Sequence, residues 1–113
     1  MNKFTVYGKV RGKGRPRFGR GHTYTPKTTV EYEDLIRKSF LTSKRIKHEG
    51  AVRVDIEIYC KKLISKPDID NTCKAILDSL NGFAYIDDNQ VVKLTAIKIV
   101  DKEEKLIITT YDI

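Results

Sequence analysis

The chain has 113 residues, of which 40% are hydrophobic and 33% are charged, and its formal net charge is +7. A chain of this length and composition is expected to form one globular domain, residues 1–113, and a disordered tail is excluded. The apolar runs are too short to cross a membrane, and because charges recur from Lys3 onward we expect no secretory leader. We therefore expect a cytoplasmic protein in which Cys60 and Cys73 are free thiols rather than a disulfide.

The excess positive charge lies in the first quarter of the sequence. Residues 1–30 contain eight Lys or Arg and no acid, whereas the rest of the chain contains fourteen Lys or Arg and fifteen Asp or Glu. A concentrated basic segment favours a polyanionic partner, with nucleic acid first and an acidic membrane surface second. A solubilising arm is the alternative interpretation.

The N-terminal elements are predicted to be a strand and a basic loop. Phe4 and Val6 alternate with polar residues and predict a strand that extends toward Val10. Residues 8–22 predict a loop, in which glycines let the backbone approach a ligand and arginines offer forked donors to phosphate. We predict that six basic side chains of this loop contact DNA: Lys9, Arg11, Lys13, Arg15, Arg17 and Arg20.

A helix and a strand are expected next. Thr25 and Pro26 predict a helix start, with a capping hydroxyl before a first-turn proline, and this helix should end near Ser43. Residues 52–58 alternate strictly between aliphatic and polar side chains, which predicts a strand with one buried face. The expected buried face of the helix consists of Val30, Leu35, Ile36 and Phe40.

The C-terminal half predicts a second helix, residues 71–81, and two strands. Residues 85–98 are expected to be extended, with a break at residues 87–89, and residues 106–111 form a final strand. This order of elements predicts an α+β fold, a single small domain in which two helices pack on a mixed sheet. The apolar stripe of the second helix consists of Ile69, Cys73, Ile76, Leu77 and Leu80.

Five aspartates fall within residues 68–88: Asp68, Asp70, Asp78, Asp87 and Asp88. Ordinary explanations exist for each, namely helix capping by Asp70, an ion-pair ladder through Lys74 and an acidic turn at residues 87–88. Their combination favours a hard cation such as Mg²⁺, with Mn²⁺ as the alternative, because Mg²⁺ prefers carboxylates, water and substrate phosphates. Asp68 and Asp70 should point to one side of an extended helix start, whereas Asp78 lies roughly 12 Å farther along the axis.

Three segments resemble the motifs of a known family. Residues 66–81 look like the signature helix of the RusA family of Holliday junction resolvases, residues 87–92 look like its second motif, and residues 14–17 resemble its basic loop. The resemblance implies a homodimeric, Mg²⁺-dependent endonuclease of branched DNA, often carried by prophages. It also implies that Asp68, Asp70 and Asp88 are catalytic metal ligands, with Lys74 as the catalytic lysine.

The sequence therefore predicts an endodeoxyribonuclease that resolves four-way DNA junctions by paired strand nicking in recombination and repair. A homodimer suits this task, because two symmetry-related cuts need two identical active sites. Three alternatives stay open: a non-catalytic nucleic-acid-binding protein, a metal nuclease acting on other branched DNA or RNA, and a small metal-buffering or interaction protein. The basic N-terminus disfavours the last of these.

Overall fold

The computed structural model describes residues 1–13, 17–19, 21–24, 26–43 and 46–113. For residues 17, 18, 22 and 24 it describes the backbone and not the side chain. Three predicted DNA contacts therefore lie outside the described side chains: Arg15, Arg17 and Arg20. Thr25, the predicted cap of the first helix, also lies outside the described residues.

Strands, two α-helices and one short 3₁₀ turn make up the described fold. In chain order they are β1 (Asn2–Tyr7), β2 (Arg17–Gly19), β3 (His22–Tyr24), α1 (Lys27–Thr42), β4 (Val52–Cys60), α2 (Ile69–Leu80), the 3₁₀ turn (Asp88–Gln90), β5 (Val91–Val100) and β6 (Lys105–Asp112). Four strands form one sheet in the order β1-β6-β4-β5, and β2 pairs with β3 in a hairpin. β4 and β5 are parallel, because α2 forms the crossover between them, and the other neighbours are antiparallel.

The core lies between one face of this sheet and the two helices, which confirms the α+β prediction. The aliphatic side chains of the predicted strand 52–58 are the buried ones of β4, so its alternation gives the central strand of the core. Phe4 of β1 meets Phe40 of α1 edge-on, with ring centroids 5.5 Å apart. The same core cluster includes Ile36, Ile56, Ile76, Leu80 and Ile108.

The buried face of α1 differs from the prediction. Ile36 and Phe40 are buried as expected, but Val30 and Leu35 are 43% and 40% exposed. A helix turns about 100° per residue, so the positions that share a side with Ile36 and Phe40 are those three and four residues away. The buried residues of α1 are Thr29, Tyr32, Glu33, Ile36 and Phe40.

The start of α2 also differs from the prediction. The helix begins at Ile69, and Asp68 holds the N-cap position with an extended backbone but makes no side-chain capping hydrogen bond. Asp70 lies in the first turn, so its predicted role as the cap is wrong. A negative charge in that turn still stabilises the helix dipole.

The prediction of an irregular loop over residues 8–22 is wrong in part. β1 ends at Tyr7, so Val10 is buried outside the strand. β2 and β3 pair with each other, with Arg17 opposite Tyr24. This hairpin lacks the aliphatic alternation that marks a strand with one buried face, so its sequence gives no periodic signal.

The described residues bear on two further expectations. Cys60 and Cys73 are both free and buried, which confirms the prediction of two thiols. Neither α1 nor α2, the helices of the described ranges, is long and apolar enough to span a bilayer.

The segment that precedes the hairpin docks against the start of α2. The backbone N–H of Lys13 donates to the carbonyl of Asn71 at 3.1 Å. A Cβ atom at Gly12 would lie 2.8 Å from the Cβ of Pro67 and 3.0 Å from the Cβ of Asn71. Glycine is required here by the close approach of two segments. This contact fixes part of the basic segment to the helix that carries Asp70.

Gly12→Ala is expected to lower the free energy of unfolding by about 1–3 kcal/mol, because the added methyl group must displace the start of α2. Gly50→Ala is the matched control, since a Cβ atom there meets nothing within 4 Å. Its effect should stay within about 1 kcal/mol. Urea denaturation of both variants measures the difference, and equal stabilities would contradict the packing of residue 12 against α2.

Candidate active site

A cavity of about 420 Å³ lies between α2 and β5, beside the 3₁₀ turn. Its charged lining residues are Asp70, Lys74, Asp78 and Asp88. Its apolar lining residues are Ile69, Cys73, Leu77, Leu94 and Ala96. Charges in a partly apolar cavity interact more strongly than they would in open water. The cavity combines four charged side chains, of which Asp70 and Lys74 are exposed, with an apolar lining.

Helical spacing places three of these charged residues on one face of α2. Asp70, Lys74 and Asp78 are separated by four residues each, which sets their side chains one above another. The predicted ion-pair ladder does not form, because neither Asp70 nor Lys74 pairs with another described residue. Within the described ranges, the side chains of both residues are thus uncommitted and available to a ligand.

The acidic pair at residues 87–88 is divided between two tasks. Asp87 is the N-cap of the 3₁₀ turn, and its Oδ2 accepts a hydrogen bond from the backbone N–H of Asn89 at 3.3 Å. Asp88 lines the cavity, and its carboxylate makes no hydrogen bond to any described residue. The sequence alone offers no physical basis for preferring Asp88 over Asp87 as a metal ligand. The turn supplies one, because it uses Asp87 as its cap and leaves Asp88 in the cavity lining.

Tyr85 anchors the segment that leads into this turn. It is completely buried, and its hydroxyl donates to the carbonyl of Leu77 at 2.7 Å. Burial first, and then the negative charges of Asp88 and Asp78, raise the pKa of the Tyr85 hydroxyl above its ordinary value. The hydroxyl therefore stays protonated and remains a donor. The sequence predicts only that Tyr85 belongs to an extended segment. The one feature that could have indicated its role is its position two residues before the acidic pair.

Asp68 is not among the residues that line the cavity between α2 and β5. It lines a second cavity of about 410 Å³, together with Lys9, Arg11 and Lys66. Side chains two apart share a side in an extended chain, but that alternation is lost once the backbone becomes helical at residue 69. In the described part of the chain, no three His, Cys, Asp or Glu side chains are placed to hold one metal ion. Asp78, and not Asp68, lines the same cavity as Asp70 and Asp88.

Asp78 differs from the other two carboxylates of the cavity because it has a cationic partner. The Lys13 ammonium lies 3.2 Å from its Oδ2 and 2.8 Å from Oε2 of the buried Glu33. Burial lowers the pKa of Lys13, but the hydrogen bonds to Glu33 and Asp78 outweigh it and raise that pKa above its ordinary value. Lys13 therefore stays charged, and its ammonium is committed within the protein. Its predicted contact with DNA stays a prediction.

The thiol in the cavity is unsuited to nucleophilic attack. Burial first, and then the negative charge of Asp70, raise the pKa of Cys73 above its ordinary value. A thiol of raised pKa holds its proton at neutral pH, and the thiol form is a poor nucleophile. The chemistry of the cavity therefore rests on its carboxylates and on Lys74.

The donor set of the cavity fits a hard divalent cation. Asp70 and Asp88 both line it without a partner among the described residues, and two such carboxylates repel each other unless a cation lies between them. Mg²⁺ is commonly held by one or two carboxylates, with water and substrate phosphate oxygens as its other ligands. Two carboxylates beside a lysine match the donor chemistry of such a site.

Comparison with known proteins identifies the family. A family model described as Endodeoxyribonuclease RusA matches residues 7–111. The "Uncharacterized protein YqaN" of Bacillus subtilis (strain 168) is 30% identical over 132 aligned positions, which cover 92% of this chain and 91% of that protein. The match to the family model includes the cavity between α2 and β5 and the basic segment docked on α2. The chain therefore belongs to the RusA family of endodeoxyribonucleases.

Proposed function

We propose that this protein is a Mg²⁺-dependent endodeoxyribonuclease that resolves four-way DNA junctions by paired strand nicking, in recombination and repair. One observation carries the proposal. In a member of an endodeoxyribonuclease family, Asp70, Asp88 and Lys74 line one cavity, and none of their side chains is committed to another described residue. Unpaired carboxylates next to a lysine in one cavity are the ligand types that a hard cation and a phosphate require.

In this proposal Asp70 and Asp88 hold the metal ion, which is Mg²⁺ with Mn²⁺ as the alternative. When bound, the ion activates water and offsets negative charge at the phosphate. Asp68 is retained as the third carboxylate, because it flanks the same helix start and the family resemblance implies it. Asp78 is its rival by position, and the variants described below decide between the two.

Lys74 acts on the phosphate in this proposal. Its ammonium lies on the same face of α2 as Asp70, one turn farther along. From there it donates hydrogen bonds to a phosphate oxygen and stabilises the charge that grows there in the transition state.

The DNA backbone is proposed to follow the second cavity toward the acidic one. Lys9, Arg11 and Lys66 line that second cavity, and none of them pairs with a carboxylate of the described residues. Free cations that line a cavity next to a cleavage site suit the phosphates that flank the scissile bond. Arg15, Arg17 and Arg20 remain predicted contacts on the strength of the sequence.

A homodimer is part of the same proposal. Resolution of a four-way junction requires two cuts related by a two-fold axis, and two copies of the chain supply two identical sites in that relation. The open alternatives are a non-catalytic nucleic-acid-binding protein and a metal nuclease acting on other branched DNA or RNA. Incubation of the protein with a four-way junction, a flap, RNA and linear duplex, with and without Mg²⁺, separates all of these.

Asp70→Asn and Asp88→Asn are each expected to abolish Mg²⁺-dependent cleavage of a four-way junction while leaving junction binding intact. Asparagine keeps the size of the side chain but removes its charge, and less negative charge near phosphates favours binding. Lys74→Ala should fold and bind normally but cleave roughly 100-fold more slowly or worse. Single-turnover cleavage and gel-shift affinity are measured on one junction substrate.

Asp87→Asn is the matched control for these variants, because Asn caps a turn about as well as Asp and residue 87 lies outside the cavity lining. It should retain most of the cleavage activity. Asp68→Asn and Asp78→Asn then decide which carboxylate joins Asp70 and Asp88. We expect cleavage to be lost in Asp68→Asn and largely retained in Asp78→Asn. Near-normal cleavage by the Asp70 or Asp88 variant would contradict the nuclease mechanism.

Replacement of both Lys9 and Arg11 by Ala is expected to flatten the salt dependence of junction binding. Each lost phosphate contact should remove close to one unit of slope in log affinity against log salt concentration. Lys38→Ala is the control, because Lys38 is exposed on α1, roughly 16 Å along the helix from its start. An equal fall of the slope in the double variant and in Lys38→Ala would contradict the proposal that DNA binds along the second cavity.

A further inference from the structure

The side-chain amide of Gln90 spans two segments of the chain. Its Oε1 accepts hydrogen bonds from the backbone N–H groups of Ile86, at 2.8 Å, and Asp87, at 3.1 Å. Its Nε2 donates to the carbonyls of His48, at 3.1 Å, and Gly50, at 2.9 Å. A glutamine amide has two donor hydrogens and two acceptor lone pairs, so every one of them is used. The amide therefore clamps the turn before β5 to the segment before β4.

The segment on the far side of this clamp is itself firmly held. The backbone N–H of His48 donates to the carbonyl of Ala84 at 2.7 Å. The His48 ring is buried, with Nδ1 at 2.7 Å from Oδ1 of Asp112 and Nε2 at 2.9 Å from Oγ1 of Thr110. Both of those residues lie in β6, so Gln90 ties the turn to the body of the sheet.

Asp88 depends on this arrangement for its position. Its carboxylate has no hydrogen-bond partner among the described residues, so no neighbouring side chain orients it. Its location in the cavity must then follow from the backbone of the 3₁₀ turn. The Oε1 atom of Gln90 closes that turn by accepting from the backbone of residues 86 and 87. Its Nε2 atom anchors the turn by donating to the carbonyls of His48 and Gly50. A side chain that fixes a ligand-bearing segment in this way governs how well the ligand is oriented toward a metal.

We propose that Gln90 is a positioning residue that sets where Asp88 stands in the cavity and thereby sets the affinity of the site for a divalent cation. The inference rests on the proposed function and adds a residue to it. Gln90 itself touches neither the metal nor the DNA in this account. Gln90 differs from a purely stabilising cap, because loss of its hydrogen bonds should change the metal affinity of the site as well as the stability of the fold.

The test is Gln90→Met, which keeps the length of the side chain and removes all four hydrogen bonds. We expect the Mg²⁺ concentration for half-maximal junction cleavage to rise roughly 10- to 100-fold, with most of the maximal rate recovered at saturating Mg²⁺. The dissociation constant for Mn²⁺, followed by electron paramagnetic resonance on the DNA-free protein, should rise by a similar factor. Gln90→Asn, one methylene group too short to span both segments, should change both quantities in the same direction.

Ile56→Val is the stability control, because it removes one methylene group from the buried centre of β4, at a cost of about 0.5–1.5 kcal/mol. It should lower the melting temperature while leaving the Mg²⁺ and Mn²⁺ dependences unchanged. Wild-type metal dependence in a folded Gln90→Met or Gln90→Asn variant would overturn the positioning role and leave the nuclease proposal standing. A wild-type protein that neither binds Mn²⁺ nor cleaves the junction would overturn the proposed function and this inference together.

Discussion

The candidate active site depends on one feature of the fold: two carboxylates from different elements line one cavity without a partner among the described residues. Asp70 belongs to α2 and Asp88 to the turn before β5, yet both line one cavity. No partner among the described residues offsets either charge. The core packs α2 against the sheet that contains β5, and a divalent cation bound by both carboxylates would offset their charges.

Of the four charged residues that line the cavity, only Asp78 forms an ion pair with a described residue. Lys13 binds both Asp78 and the buried Glu33, and its single positive charge offsets part of their combined negative charge. The close approach at Gly12 holds the segment that carries Lys13 against α2. The same basic segment thus has two roles, since Lys13 forms ion pairs within the protein while Lys9 and Arg11, which line the second cavity with it, have no carboxylate partner among the described residues.

Periodicity and motif spacing account for the parts of the structure that the sequence predicts. The alternation of residues 52–58 predicts β4, the apolar stripe through Ile76 and Leu80 predicts α2, and the order of elements predicts the α+β fold. Contacts between residues distant in sequence could not be predicted, and they set the details of the site. Lys13 meets Asp78 from a remote part of the chain, and no local pattern pairs the two residues. The hydrogen bonds of Gln90 likewise depend on where the segment before β4 lies.

The most direct measurement of the central claim is the rise in melting temperature that a saturating concentration of Mn²⁺ produces in the DNA-free protein. A ligand that binds only the folded state stabilises it by about 2.7 kcal/mol at 100 times its dissociation constant. If Asp70 and Asp88 hold one ion, Asp70→Asn, Asp88→Asn and the double variant should all lose the same rise, while Asp87→Asn keeps it. A rise that survives in both single variants, or partial losses that add up in the double variant, would contradict a shared site.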